Sequence, residues 1–274
     1  MIRYSQLKIM NTRILKIAFI GAGNMGSAIV RGLAKGTKIN PKIITVSDLN
    51  TANLESLKAA VPEITIETSN TAVVKNADLI ILAVKPWLIE KICREIQPVV
   101  DFDRQIIASV AAGISFKDYS DFFQTKATLF RIMPNTAVDV LQSVTAIASL
   151  NATKEQEELV RQIFDEVGKT FLVQENQMDA YMSLASCGIA YALRYIHAAM
   201  LGGVELGIRP DTAKEIVMQT LRGAVELLEA HKSHPAIEID KITTPGGYTI
   251  KGLNAMETNG FTNSVIKGLV AAKG

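Results

Sequence analysis

The chain has 274 residues, a formal net charge of +2, 48% hydrophobic and 20% charged residues. That balance fits a globular chain of one large or two ordinary domains. The small net charge, with no long Lys/Arg block, gives no electrostatic case for nucleic-acid binding. The two cysteines, Cys93 and Cys187, are far apart and form neither a metal-binding spacing nor a disulfide framework; a reducing, cytoplasmic setting is expected.

Residues 1–13, MIRYSQLKIMNTR, lack the apolar core and cleavage site of a secretory signal and predict an unstructured extension. No window reaches about 18 uninterrupted apolar residues, so no membrane partner is expected. From Lys16 short apolar runs alternate with amphipathic ones. Strands are predicted at KIAFIG, KIITVSD, TIET, DLIILAVKP, RQIIASVAAG, KATLFRIMPN, SVTAIASL and TFLVQ. Helices are predicted at MGSAIVRGLAKG, TANLESLKAAV, NTAVVKNA, PWLIEKICREIQPVV and TKEQEELVRQIFDEVG. Continuous apolar strands alternating with helices predict an α/β domain over residues 14–174, a mostly parallel sheet covered on both faces.

At Glu175 the pattern changes. Residues 175–274 predict helices only: a very apolar stretch from Asn176 to Gly207, a second from Arg209 to Lys232, a loop and third helix within TPGGYTIKGLNAMETN, and a last helix in FTNSVIKGLVAAKG. A helix apolar on nearly all sides must be covered by a core or by a partner chain.

The motif Gly21-x-Gly23-x-x-Gly26 lies between a predicted strand and a predicted helix, the context that gives it meaning. Gly21 allows the tight turn, Gly23 a close backbone approach to a pyrophosphate, and Gly26 close helix–sheet packing. The phosphates then meet free amides at a helix N-terminus. Asp48, at the end of the second strand, favours the ribose hydroxyls of NAD and repels a 2′-phosphate; Ser47 and Asn50 could still hold one, and a simple helix cap is the alternative role for Asp48. The strand-end loops at residues 83–86, 109–113 and 131–135 carry small residues where a flat ring fits, with Lys85 as a candidate phosphate or ribose contact. His231 and His234 share a helix face without a third ligand, so no metal is expected. No Gly-x-Ser-x-Gly elbow supports a serine hydrolase.

The blocks IGAGNMGSAI, SNTAVV, ILAVKP, SVAAGIS, RIMPNTAV, ENQMDAYMSLASCGIAY and ITTPGGYTIKGL stand in order along almost the whole chain after Ile14. In them the chain resembles pyrroline-5-carboxylate reductase, the last enzyme of proline biosynthesis. The resemblance implies a Rossmann domain followed by an all-α dimerisation domain, a homodimer with intertwined helical domains, and a ring of dimers as a larger possibility. It implies hydride transfer from NADPH or NADH to the imine carbon of 1-pyrroline-5-carboxylate. Implied cofactor contacts are the loop of Gly21, Ala22, Gly23, Asn24 and Met25, then Asn70, joined by Gly26 from the motif itself and by Ser47 and Asp48 from the end of the second strand. Ala83, Val84, Lys85 and Pro86, Ala111, Ala112 and Glu175 complete them. Implied substrate contacts are Lys241, Thr244, Gly246, Gly247, Tyr248 and Thr249, a Gly-Gly turn with exposed amides and hydroxyls that suits a carboxylate. Helix capping is the ordinary alternative for Thr244 and Thr249.

The family segment D-A-x-T-x-L-S-G-S-G-P-A-Y runs here from Asp179 to Tyr191 with changes. Met182 replaces the hydroxyl-bearing Thr near the substrate nitrogen, Cys187 a serine and Ile189 the proline. Tyr248 fills a position usually held by Thr or Ala, where its hydroxyl or solvent could supply the proton. Thr249, Tyr248 and Met182 are thus the expected catalytic positions. The alternatives are a reductase of a related cyclic imine and a catalytically silent dinucleotide-binding paralogue. A β-hydroxyacid dehydrogenase is disfavoured because no Lys lies between Asp179 and Gly207.

Overall fold

The structure, a computed structural model, describes Lys8, Ile9 and residues 13–273. Lys8–Ile9 and Arg13–Ile14 pair antiparallel, so part of the expected unstructured extension is a short ladder; the rest of that expectation lies outside the described residues. Eight further strands form one sheet: β1 (Ile17–Ile20), β2 (Ile44–Ser47), β3 (Thr65–Glu67), β4 (Leu79–Leu82), β5 (Ile106–Ser109), β6 (Thr128–Met133), β7 (Ser143–Leu150) and β8 (Gly168–Leu172). Their order is β8-β7-β6-β5-β4-β1-β2-β3. Every pairing is parallel except β6 with β7.

The apolar runs explain the layering. Each residue of β1, β4 and β5 is buried, as strands covered on both faces require. One face packs Phe19, Val46, Phe130 and Phe164 with Ile29 and Leu33 of α1 (Asn24–Lys35) and Leu54 and Leu57 of α2 (Thr51–Ala60). The other packs Ile20, Ile80 and Leu82 with Val73 and Val74 of α3 (Asn70–Lys75), Ile92 and Cys93 of α4 (Ile89–Ile96), and Tyr119 and Phe123 of α5 (Phe116–Phe123). The pattern in sequence assigns no helix to α5. A capping box between Ser115 and Asp118 starts it, and Phe116, Tyr119 and Phe123 bury its inner face. A last covering helix, α6, spans Lys154–Asp165.

The chain divides into two compact units after Ser186, later than the expected boundary at Glu175. The reason is packing. A short helix, α7 (Met178–Tyr181), buries Met178 in the core of the sheet domain and runs into a π-helical turn, Met182–Ser186. The expected single helix is thus a 3₁₀ turn (Glu175–Gln177), α7, the π turn and α8 (Gly188–Glu205).

The second unit holds α8, α9 (Pro210–His231), α10 (Pro235–Lys241), α11 (Tyr248–Thr258) and α12 (Phe261–Ala271). The sequence pattern did not predict α10, which Pro235 at its first turn and the His234 ring, accepting from Ala236 N, start. A Cβ on Gly203 of α8 would lie 2.9 Å from Ala213 Cβ of α9, so a glycine sets that close crossing. Ala213 is the buried residue of α9; α8, α10, α11 and α12 have none. The helical run Glu175–Glu205 is, by length and composition, apolar enough to cross a membrane, although charged residues interrupt it.

Candidate active site at the carboxyl edge of the sheet

The register brings the site together. Ile20 pairs with Ser47 on one side and Leu82 on the other, and Leu82 pairs with Ser109. The segments after β1, β2, β4 and β5 therefore emerge side by side, at the point where the strand order reverses between β1 and β4. Ligands of doubly wound sheets bind there.

Gly21 has φ +112°, and its amide donates to Ser47 O at 2.7 Å. A Cβ there would lie 2.6 Å from Ala83 O. A Cβ on Gly26 would strike the carbonyl oxygen of Gly21, so the third glycine lets α1 close onto the loop. Gly23 differs: nothing lies within 4 Å of its Cβ position. It is the N-cap of α1, has no side-chain capping bond, and no acidic residue stands in the first turn. The amides at that helix start face an open cradle, the donor set a pyrophosphate needs.

Asp48 is held as a brace rather than as the cap of α2. Its Oδ2 accepts from Ala22 N at 2.6 Å and its Oδ1 from Asn50 N at 2.7 Å, while Asn50 itself caps α2. Asn70 is buried. Ser47 Oγ donates to its Oδ1 at 2.8 Å, and its Nδ2 donates to both Glu95 carboxylate oxygens at 3.2 Å. Buried Ser109 accepts from the Tyr119 hydroxyl at 2.5 Å, a phenol whose burial pushes its pKa up.

A cleft of about 770 Å³ joins these parts. All the expected cofactor residues line it except Ala22, Gly26 and Glu175. Ala22 is buried with its amide on Asp48, and Gly26 lies against the Gly21 carbonyl. Glu175 is engaged elsewhere: its Oε1 accepts from Phe116 N at 2.7 Å and from Arg131 Nη1 at 2.8 Å, at the start of α5. Leu49, Leu88, Lys91, Glu95, Thr136 and Ser186 also line the cleft and were not singled out from sequence. A charged residue on a helix gives no signal of facing a cleft.

Met182, expected at the substrate, packs against the apolar core under β4 and β5. The other expected substrate residues belong to the second unit. Thr244, Gly246, Tyr248 and Thr249 are exposed, Tyr248 to 94%, and Gly247 is half-buried. Gly246 has φ +71°, and Gly247 N donates to Thr244 O at 3.0 Å. Gly247 is the N-cap of α11 without a side-chain capping bond, so neither Thr244 nor Thr249 caps it. The Lys241 ammonium pairs with Glu238 at 2.7 Å.

Comparisons with known proteins agree with this architecture. A family model described as pyrroline-5-carboxylate reductase dimerisation matches residues 175–274, and one described as NADP oxidoreductase, coenzyme F420-dependent, matches residues 16–113. The chain is 34% identical over 263 residues to the pyrroline-5-carboxylate reductase of Methanosarcina acetivorans, covering 94% of this chain and 97% of that one. The chain belongs to the pyrroline-5-carboxylate reductase family. It is 35% identical to pyrroline-5-carboxylate reductase 1 of Dictyostelium discoideum over 93% of its own length, and spans about half (48%) of that relative. The crystal structure of Plasmodium falciparum pyrroline carboxylate reductase with NADP bound superposes with a TM-score of 0.86 at 25% identity, over 94% of this chain and 95% of that one. Together they make this chain an NAD(P)H-dependent oxidoreductase.

Proposed function

We propose that this chain reduces 1-pyrroline-5-carboxylate to proline with a reduced nicotinamide dinucleotide. The observation that carries the proposal is the uncapped glycine cradle at the start of α1, open at Gly23 and closed by sterics at Gly21 and Gly26. When bound, the dinucleotide supplies the hydride that the imine carbon accepts. The chain's own part is orientation. Amides of residues 23–25 hold the pyrophosphate, and Asp48 and Asn70 stand at the ribose. The small residues Ala111 and Ala112 leave room for the ring. The Gly246–Gly247 turn leads into the uncapped N-terminus of α11, whose first amides are offered to the substrate carboxylate. A protonated imine is already electrophilic, so the ring nitrogen needs no strong acid from the protein.

NADH is the favoured cofactor in this proposal. Each Asp48 oxygen already accepts one backbone amide and keeps a lone pair for a ribose hydroxyl, while its charge opposes a 2′-phosphate. The helical unit supports a homodimer, because its five helices bury almost nothing within one chain.

The test is turnover of purified protein with 1-pyrroline-5-carboxylate and each cofactor, followed at the reduced-nicotinamide absorbance band with proline measured as product. Oxidation with stoichiometric proline, faster with NADH, is expected. Dinucleotide binding without turnover would refute the reaction and favour the silent paralogue. Faster turnover with NADPH would refute the role given to Asp48.

A further inference from the structure

At the adenosine end of the cleft one side chain is held by another in a way the dinucleotide-binding motif does not require. Ser47 ends β2, and Asn70 opens α3. The helix has its own cap, Ser69, whose hydroxyl accepts from Ala72 N, so the Asn70 amide is not used for capping. Instead it is 4% exposed and spans from Ser47 to Glu95. Glu95 lies on α4 with Lys91 one turn before it, and the adjacent Arg94 pairs with Glu90 at 2.8 Å. Its carboxylate bonds the buried amide through both oxygens.

A carboxylate only accepts, whereas an amide can present either end. Glu95 therefore decides which way Asn70 faces: nitrogen toward α4, oxygen toward the Ser47 hydroxyl. Ser47, Asn70 and Glu95 all line the cleft, beside Asp48, where the ribose of a dinucleotide falls. We propose that Glu95 is a positioning residue for dinucleotide binding, acting by fixing the orientation of the Asn70 amide at the adenosine end of the cleft. The inference rests on the dinucleotide-dependent function proposed above.

The test uses the full chain with Glu95→Ala and Glu95→Gln. Trp87, the one tryptophan of the chain, is 76% exposed beside cleft residues Pro86 and Leu88, so its quenching reports dinucleotide binding whether or not turnover occurs. Glu95→Ala is expected to raise Kd and KM for the dinucleotide about tenfold, the loss of one charge-assisted hydrogen bond, with kcat at saturating cofactor within about twofold of wild type. Glu95→Gln keeps the size of the side chain but, as an amide, can present either end to Asn70, and is expected to raise Kd at least about threefold. Wild-type affinity in Glu95→Ala overturns the inference. So does wild-type affinity in Glu95→Gln, where an amide no longer dictates the orientation, or a fall in kcat with KM unchanged. Wild-type protein that binds neither NADH nor NADPH overturns the oxidoreductase assignment and this inference with it. Wild-type binding with an unaltered Glu95→Ala overturns the inference alone.

Discussion

Gly23→Ala separates folding from cofactor binding. Gly23 sits at φ −70° and ψ −173°, extended backbone that alanine adopts freely. Its added methyl meets no atom within 4 Å, so the fold should change in stability by no more than about 0.5 kcal/mol. That same methyl projects into the cradle where phosphate oxygens approach the α1 amides. Pushing them back breaks charge-assisted hydrogen bonds worth about 1.5–3 kcal/mol each. Losing one or two predicts at least about tenfold weaker binding, about 1.5 kcal/mol or more. Gly26→Ala is the control with opposite logic. Its methyl would strike the Gly21 carbonyl and lie 3.1 Å from Ala83 Cβ, so about 1–3 kcal/mol of stability should go with the affinity. Thermal melts by circular dichroism and Trp87 quenching by NADH and NADPH read both quantities. Gly23→Ala protein that folds normally and binds either dinucleotide within threefold of wild type would refute the assignment of the cradle to the pyrophosphate.

Glu175→Ala should cost about 2–3 kcal/mol in urea unfolding. It strands the Arg131 guanidinium, whose side chain is 9% exposed, and frees Phe116 N; the 36% exposure of Glu175 reduces the usual cost of breaking a buried pair. Hydrogen bonds from Arg31 and Lys35 hold Asp139 down at about 2. A carboxylate depressed in the folded state stabilises above its unfolded value, so its contribution is complete above about pH 4 and lost as pH falls toward 2. Asp139→Asn should therefore be less stable than wild type at neutral pH, with the difference closing over that window in pH-dependent melts. Burial pushes the Cys93 thiol up to about 12, and alkylation of the native protein at pH near 8 should leave it unmodified while denatured protein is labelled there. Because the apolar faces of the second unit need a partner, the melting midpoint should rise with protein concentration; a midpoint independent of concentration, with a monomer mass by light scattering, would contradict the dimer.

The features legible in the sequence are those written in local spacing. Apolar runs such as LIIL and IIAS become strands buried on both faces, and the three glycines lie between β1 and α1 as their spacing requires. Helix α5 escaped because Lys117, Asp118 and Asp121 interrupt its aromatic residues; its signal was the Ser115–Asp118 capping pair. The Glu175 boundary marks a change of composition. The compact unit continues to Ser186 because Met178 is buried in the core on one face of the sheet, a matter of three-dimensional packing. Glu95 and Asn70 are 25 residues apart and meet only because α3 and α4 cross the same end of the sheet. Asp48 stands out in the sequence, but its bond to the amide of Ala22 depends on the register of β1 against β2.

The apolar character of residues 175–205 was also legible, whereas what covers it follows only from the whole second unit. A bilayer would cover one helical run of that length. The exposed apolar side chains are not confined to it: Ile216, Val225 and Leu227 lie on α9, Ile237 and Ile239 on α10, Met256 on α11, and Val265 and Val270 on α12. Arg194, His197 and Glu205 lie within α8 itself, and each would be costly in hydrocarbon. Apolar surface spread over five helices, with polar groups between, is what a second copy of the same five helices covers by self-complementary packing. The match of residues 175–274 to a dimerisation domain falls on this unit together with the 3₁₀ turn, α7 and the π turn before it, which carry the chain from the sheet core to the helices.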